Sequence, residues 1–286
     1  MANGKLNVSE LDFENIKSNL KSFLQSQTEF QDYNFDGSAL SILVDLLSYN
    51  THYLSYIANM STNEIFLDSA DVRNNIVSLA KMIGYTPSSV RSPRASIDIL
   101  VNNATGNSLT MNKATVFTST VDGSSYQYVT NEDTTITPEN GIYRFSNVTL
   151  YEGTPITFKY TYDSNDTDQR FVIPSSNADT STLKVSVQTS STDSSSSTYS
   201  LATGYSSIDS DSKVYFIEEV EDGKFRIYFG DGVTGKKLDD GNIIILEYIV
   251  TNTTNSNGAS AFTLSGNVGG FTDVTITTNS VSQGGS

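Results

Sequence analysis

The spacing of apolar residues changes character near Pro87–Arg94. Before that point they recur every three or four residues, the period of a helix with one buried stripe. After it, Val, Ile, Tyr and Phe alternate with Thr and Ser in short runs broken by Asn, Asp and Gly, the period of half-buried strands. The first helix is expected after Ser9 or Asp12, with Phe13, Ile16, Leu20, Phe23 and Leu24 on one stripe and an end near Ser26. A second, longer helix is expected from about Ser38, with Asp36 or Ser38 as its cap. Its residues Leu40, Leu43, Leu47, Asn50, Leu54 and Ile57 follow the alternating three-and-four interval of a coiled-coil seam, and Ile42, Val44, Leu46 and Tyr53 widen the apolar surface around it. A third helix is expected near Asp71–Ile83, closed by Gly84 and Pro87.

The middle helix has more apolar surface than one neighbour can cover. The pattern leaves two arrangements open: an ordinary bundle with that helix at its centre, or a helix whose surplus is covered by other subunits. Beyond Ala95 the strands expected are Ser96–Val101, Ala114–Ser119, Ser125–Thr130, Ile142–Ser146, Ile156–Tyr162, Phe171–Ile173, Leu183–Gln188 and Phe271–Thr277. Val214–Ile217, Phe225–Phe229 and Ile243–Val250 read as a three-stranded meander joined by Asp-Gly turns. The tracts Ser191–Ser200 and Ser206–Ser212 read as loops unable to pack a core, and Asn279–Ser286 as a linker-like tail. The fold class is therefore α+β: a helical bundle or hairpin head followed by a mainly antiparallel β body. The division expected is a helical assembly domain over 1–92, a β-rich body over 93–262, and a terminal strand and linker over 263–286, leading towards a C-terminal region missing or absent here.

Charge and residue inventory narrow the function. Acidic residues outnumber basic ones 32 to 17, for a formal charge of -15, which disfavours nucleic acid and anionic lipid as partners. No cysteine is present, so disulfides, thiolate metal sites and cysteine nucleophiles are excluded. The first residues lack the apolar core of a signal peptide, and no run is long enough to span a membrane.

Five sites imitate chemistry. His52 is the single histidine and lies inside the second helix, where a packed or surface role is the better account. Asp32–Gly37 begins like a calcium loop, but its twelfth position is Leu43 instead of a bidentate Glu. Gly230–Lys237 almost spells a phosphate loop, but it ends on Lys237 and leads into a strand, so Gly230, Asp231, Gly232 and Gly235 read as a structural turn. Glu218-Glu219 and Asp239-Asp240 are neighbours in sequence, not a facing catalytic pair. No enzyme, cofactor or metal reading has positive support.

Two ordered patterns point elsewhere. The first is Phe35–Ser38, then Leu46–Asn50, Tyr53, Asn59, Glu64, Phe66-Leu67, Ala70, Arg73, Val77 and Gly84-Tyr85 followed by Pro87. It resembles the N-terminal part of the baseplate wedge subunit of T-even-type contractile-tailed phages, the gene-six product type. The second joins Phe229–Gly232 with Gly235, Gly241 and Glu247-Tyr248, and resembles the broader baseplate J-like family. The resemblance implies a structural subunit of the virion tail baseplate, assembled in the host cytoplasm. Such subunits pair with a second copy, join other wedge proteins through a helical bundle, close a ring around the tail hub and take part in the sheath-contraction switch. On that reading Leu40, Leu43, Leu47, Asn50, Leu54 and Ile57 form the protein interface. The competing reading is a receptor- or glycan-binding β module of a tail fibre, drawn from the Ser/Thr/Asn-rich body and its tyrosines.

Overall fold

The computed structural model describes residues 9, 11–28, 39–85, 87–204 and 208–286. The calcium-like stretch Asp32–Gly37, the turn Phe35–Ser38 and the expected caps Asp36 and Ser38 lie outside the described residues. The chain divides into two compact units, Met1–Thr86 and Pro87–Ser286.

The first unit contains α1 (Phe13–Gln25), α2 (Ala39–Asn63) and α3 (Arg73–Met82). Asp12 caps α1 by accepting the Asn15 N–H at 2.9 Å. At the end of α3, Tyr85 N–H reaches the Ala80 carbonyl at 3.0 Å and Gly84 N–H reaches Lys81 at 2.9 Å. Gly84 has φ 79°, so these bonds form the glycine-terminated helix stop expected from the sequence.

The second unit is a β body of two large sheets. The first is antiparallel throughout, in the order β14 (Thr263–Leu264), β3 (Val116–Val121), β4 (Ser124–Thr130), β6 (Tyr143–Glu152), β1 (Arg94–Val101), β15 (Val274–Gln283). The second runs β7 (Thr154–Thr161), β13 (Ile243–Val250), β9 (Ala178–Gln188), β10 (Ser196–Leu201), β11 (Val214–Glu219), β12 (Phe225–Phe229), β8 (Phe171–Val172), antiparallel except where β10 meets β11. A small ribbon pairs β2 (Leu109–Met111) with β5 (Thr134–Ile136). Each large sheet has its own core. Ile97, Ile99, Met111, Phe117, Tyr128, Phe145 and Leu150 fill the first; Ile173, Val185, Phe225, Ile227, Ile244 and Leu246 fill the second. In β1 every second side chain is buried, which is the alternation its sequence carries.

The chain passes from one sheet to the other at Glu152-Gly153. Gly153 has φ 128°, and a Cβ there would collide with the Val250 carbonyl and the Ile249 side chain. Beside it, the fully buried Glu152 accepts from Thr251 Oγ1 at 2.7 Å, Asn252 N–H at 3.0 Å and Asn252 Nδ2 at 2.6 Å. The end of β6 is thereby tied to the segment that follows β13, with every donor around the buried carboxyl satisfied.

The structure corrects three sequence expectations. First, Val214–Val250 is not a meander. β11 and β12 form a hairpin across Val220–Lys224, with Asp222 and Gly223 at positive φ, but β13 pairs with β7 and β9 instead. The free edge of β12 is taken by β8, and the long connection from Gly230 to Asn242 gives β13 the reach to pair centrally. Second, half of the Ser191–Ser200 tract is strand. Its serines occupy outward or edge positions of β10, while Tyr199 is 5% exposed and packs edge-on against Phe229. Third, Asn279–Gln283 belongs to β15, and beyond it Arg91 and Ser286 exchange backbone hydrogen bonds at 3.0 and 3.2 Å. The segment read as a linker is paired.

Candidate assembly surface on the helical head

The inner side of α2 is small and polar. Val44 (1% exposed), Ser48 (0%) and Asn59 (5%) are its buried residues, recurring at four and eleven positions along one side. Ser48 Oγ donates to the Val44 carbonyl at 2.7 Å. Asn59 Nδ2 donates to Ser55 O at 2.9 Å and to Ser9 Oγ at 2.7 Å, tying α2 to the residues that precede α1. From α1, Ile16 is buried against this side, and Lys17 pairs with Asp45 at 2.6 Å. His52 is half-buried and meets Phe13 edge-on at 6.4 Å, a packing role.

The outer side is large and apolar. Ile42, Leu43, Leu46, Leu47, Tyr49, Tyr53, Leu54, Tyr56, Ile57 and Met60 are each 41–72% exposed. At about 100° per residue they occupy roughly half the circumference. Its middle line runs Leu43, Leu46, Asn50, Tyr53, Ile57, Met60, with Leu47 and Leu54 on one flank and Leu40 at the half-buried border. Asn50 is exposed in the middle of that line, and its side-chain amide has no partner among the described residues. The surface continues into Ile65, Phe66 and Leu67, which are 63%, 51% and 46% exposed. If each of the ten side chains offers about half of a large residue's area, the arc presents on the order of 800 Å². That exceeds the ~300–600 Å² typical of the largest patch on a monomer and equals about one partner's share of a standard interface.

The body stretches that imitated chemistry are structural. Five successive amides of the Gly230–Lys237 turn donate internally: Gly232 to Gly235 O, Val233 and Thr234 to Asp231 Oδ1, Gly235 to Asp209 O, and Lys236 to Ser212 O, all at 2.8–3.0 Å. A phosphate would need those N–H groups, and they are spent. The bonds from Thr234 and then Val233 hold the Asp231 carboxyl below its usual range. Gly230 is required sterically, since a Cβ there would run into the backbone of Gly235. Glu218 pairs across the hairpin with Arg226, Glu219 is buried, and Asp240 accepts the Ser164 N–H at 2.8 Å. Among the described residues no group of three or more His, Asp or Glu side chains is placed to hold a metal ion.

Residues 12–85 match the family model described as baseplate wedge protein gp6-like, helical domain. That bears out the resemblance read in the head. The chain is also 28% identical, over 93% of its length, to the baseplate wedge protein gp6 of Enterobacteria phage T4. It spans 42% of the length of that relative. The gp6-like match therefore covers the three helices, and the longer alignment takes in most of the β body.

Proposed function

We propose that this chain is a structural subunit of a contractile phage tail baseplate, incorporated into the wedge through the outer side of α2. The observation that carries this reading is the continuous apolar arc from Ile42 to Met60, exposed on a segment that matches a wedge-protein helical domain. An arc of that width is energetically unfavourable in water, and it spans more of the helix than a two-helix seam uses. It fits a helix packed among several others, contributed by a second copy and by other wedge proteins. Leu43, Leu47, Asn50, Leu54 and Ile57 face such partners, with Leu40 at the border. Asn50, a lone polar group in the apolar line, sets register at some cost in stability. The role is mechanical, located in the virion tail after assembly in the host cytoplasm, and the subunit moves with the ring when the sheath contracts. Of the three segments expected from the sequence, 1–92 serves assembly, while 93–262 and 263–286 act together as one β body, since β15 pairs with β1.

Leu46→Asp and Leu47→Asp test the proposal in co-expression with the neighbouring wedge proteins. Both variants should fold, by circular dichroism and thermal melting, yet fail to co-purify with wedges. Normal incorporation of both would overturn the reading. Specific retention of the chain on host-surface glycan, with no wedge association, would establish the tail-fibre alternative instead.

A further inference from the structure

The polar group of the head that the assembly reading leaves unused is Glu64, one residue past the end of α2 and close to the start of α3. Its amide still donates to Met60 O at 3.0 Å, so its backbone continues the α2 ladder. Its carboxylate reaches forward. Oε1 accepts the Asp71 N–H at 2.9 Å and the Val72 N–H at 3.2 Å, and Oε2 accepts Val72 N–H at 3.3 Å and Asn75 Nδ2 at 2.8 Å. The position before α3 is Val72, whose side chain has no oxygen with which to cap the helix. Three donors at the opening of α3, the Asp71 and Val72 amides and the Asn75 side chain, therefore converge on the carboxylate of one residue just past α2.

We propose that Glu64 is a latch closing the corner between α2 and α3. It accepts the two backbone amides that lead into α3 and the side chain of Asn75 in its first turn, and places a negative charge where the helix dipole favours one. Asn75 first, then the Asp71 amide, holds its carboxyl below the usual glutamate range, while burial and the nearby Asp71 carboxylate oppose them. A second tie, from Ser69 Oγ to Asn63 O at 2.7 Å, draws the loop inward. With both ties made, Ser69 and Ala70 are buried and the apolar run Ile65–Leu67 is turned outward. The corner holds an arrangement that apolar burial alone would reverse. The latch belongs to the head itself and stands or falls independently of any partner.

Amide hydrogen exchange on the full chain tests it. In Glu64→Ala, the amides of Asp71 and Val72 and the first turn of α3 should exchange on the order of tenfold faster, the size of effect expected on losing hydrogen bonds to a charged group. Asp68→Asn removes a nearby exposed carboxylate outside this bond set and should leave those amides unchanged. Wild-type exchange in Glu64→Ala, or equal acceleration in both variants, would overturn the latch. Should Glu64→Ala fail to fold, an NMR titration of the wild-type chain decides. The Asp71 and Val72 amide shifts should then follow one carboxyl group titrating below the ordinary glutamate range, and a midpoint within that range would overturn the proposal.

Discussion

The head and the body handle apolar side chains in opposite ways. Along β1, Ala95, Ile97, Ile99 and Val101 are 0–3% exposed, and their polar neighbours point outward. Along α2 the large apolar residues point outward, and the residues turned towards the rest of the head are Val44, Ser48 and Asn59. The body satisfies its own hydrophobic demand within one chain. The head satisfies hydrogen bonds within the chain and leaves its large apolar side chains exposed. Apolar content alone does not distinguish a core from an interface; which polar groups are already paired does.

Substitutions sharpen this contrast. The largest effect is expected in the body: Ile227→Ala, at a side chain with no exposed surface, should cost about 2–5 kcal/mol in urea unfolding. Glu152→Ala should follow at about 2–4 kcal/mol, because it leaves the Thr251 hydroxyl and both Asn252 donors without their acceptor, while Glu152→Gln should cost less. Gly230→Ala should cost roughly 1–3 kcal/mol by forcing apart the backbones of Gly230 and Gly235. In the head, Leu46→Ala should change the stability of the isolated chain by less than about 0.5 kcal/mol, since most of its side chain is already in water. A cost comparable to Ile227→Ala would erase the contrast between the two units.

The smallest effect is expected from acid. Asp98, Asp209, Asp231 and Asp240 in the body are all held below the usual aspartate range, chiefly by hydrogen bonds donated to their carboxylates. A depressed folded-state pKa contributes stability that is complete above the unfolded value and disappears as pH falls through the folded one. The urea midpoint of the body should therefore be level above the ordinary aspartate range and decline below it. Asp231→Asn should soften that decline without removing it.

Much of the architecture was legible because it is written locally. Three helices, the change of period near Pro87 and most strands follow from residue spacing and from breakers such as Gly84. What was illegible depended on partners distant in sequence. Nothing within Ile243–Val250 says that it pairs with β7 and β9 instead of β12. Ser196–Leu201 hides a strand because one buried tyrosine carries its packing. Asn147 looks like the end of a strand, but it takes φ 53°, its N–H reaches Asp98 Oδ1 at 2.8 Å, and β6 continues to Glu152. In the head, the leucine spacing located the outward side, but the middle line also runs through Leu46, Tyr53 and Met60. The Glu64 bonds have no local signature, because the amides they accept lie seven and eight residues further along the chain.

The hydrogen-bonded stripe through Ser48 and Asn59 works like the key on a shaft. Rolling α2 by half a turn to hide its leucines against α1 would break the Lys17–Asp45 pair and strand the buried Asn59 amide, at about 1–3 kcal/mol for that group left unmatched. The helix is thus held with its leucines outward, so the side chains offered to solvent are fixed by hydrogen bonds made on the opposite side.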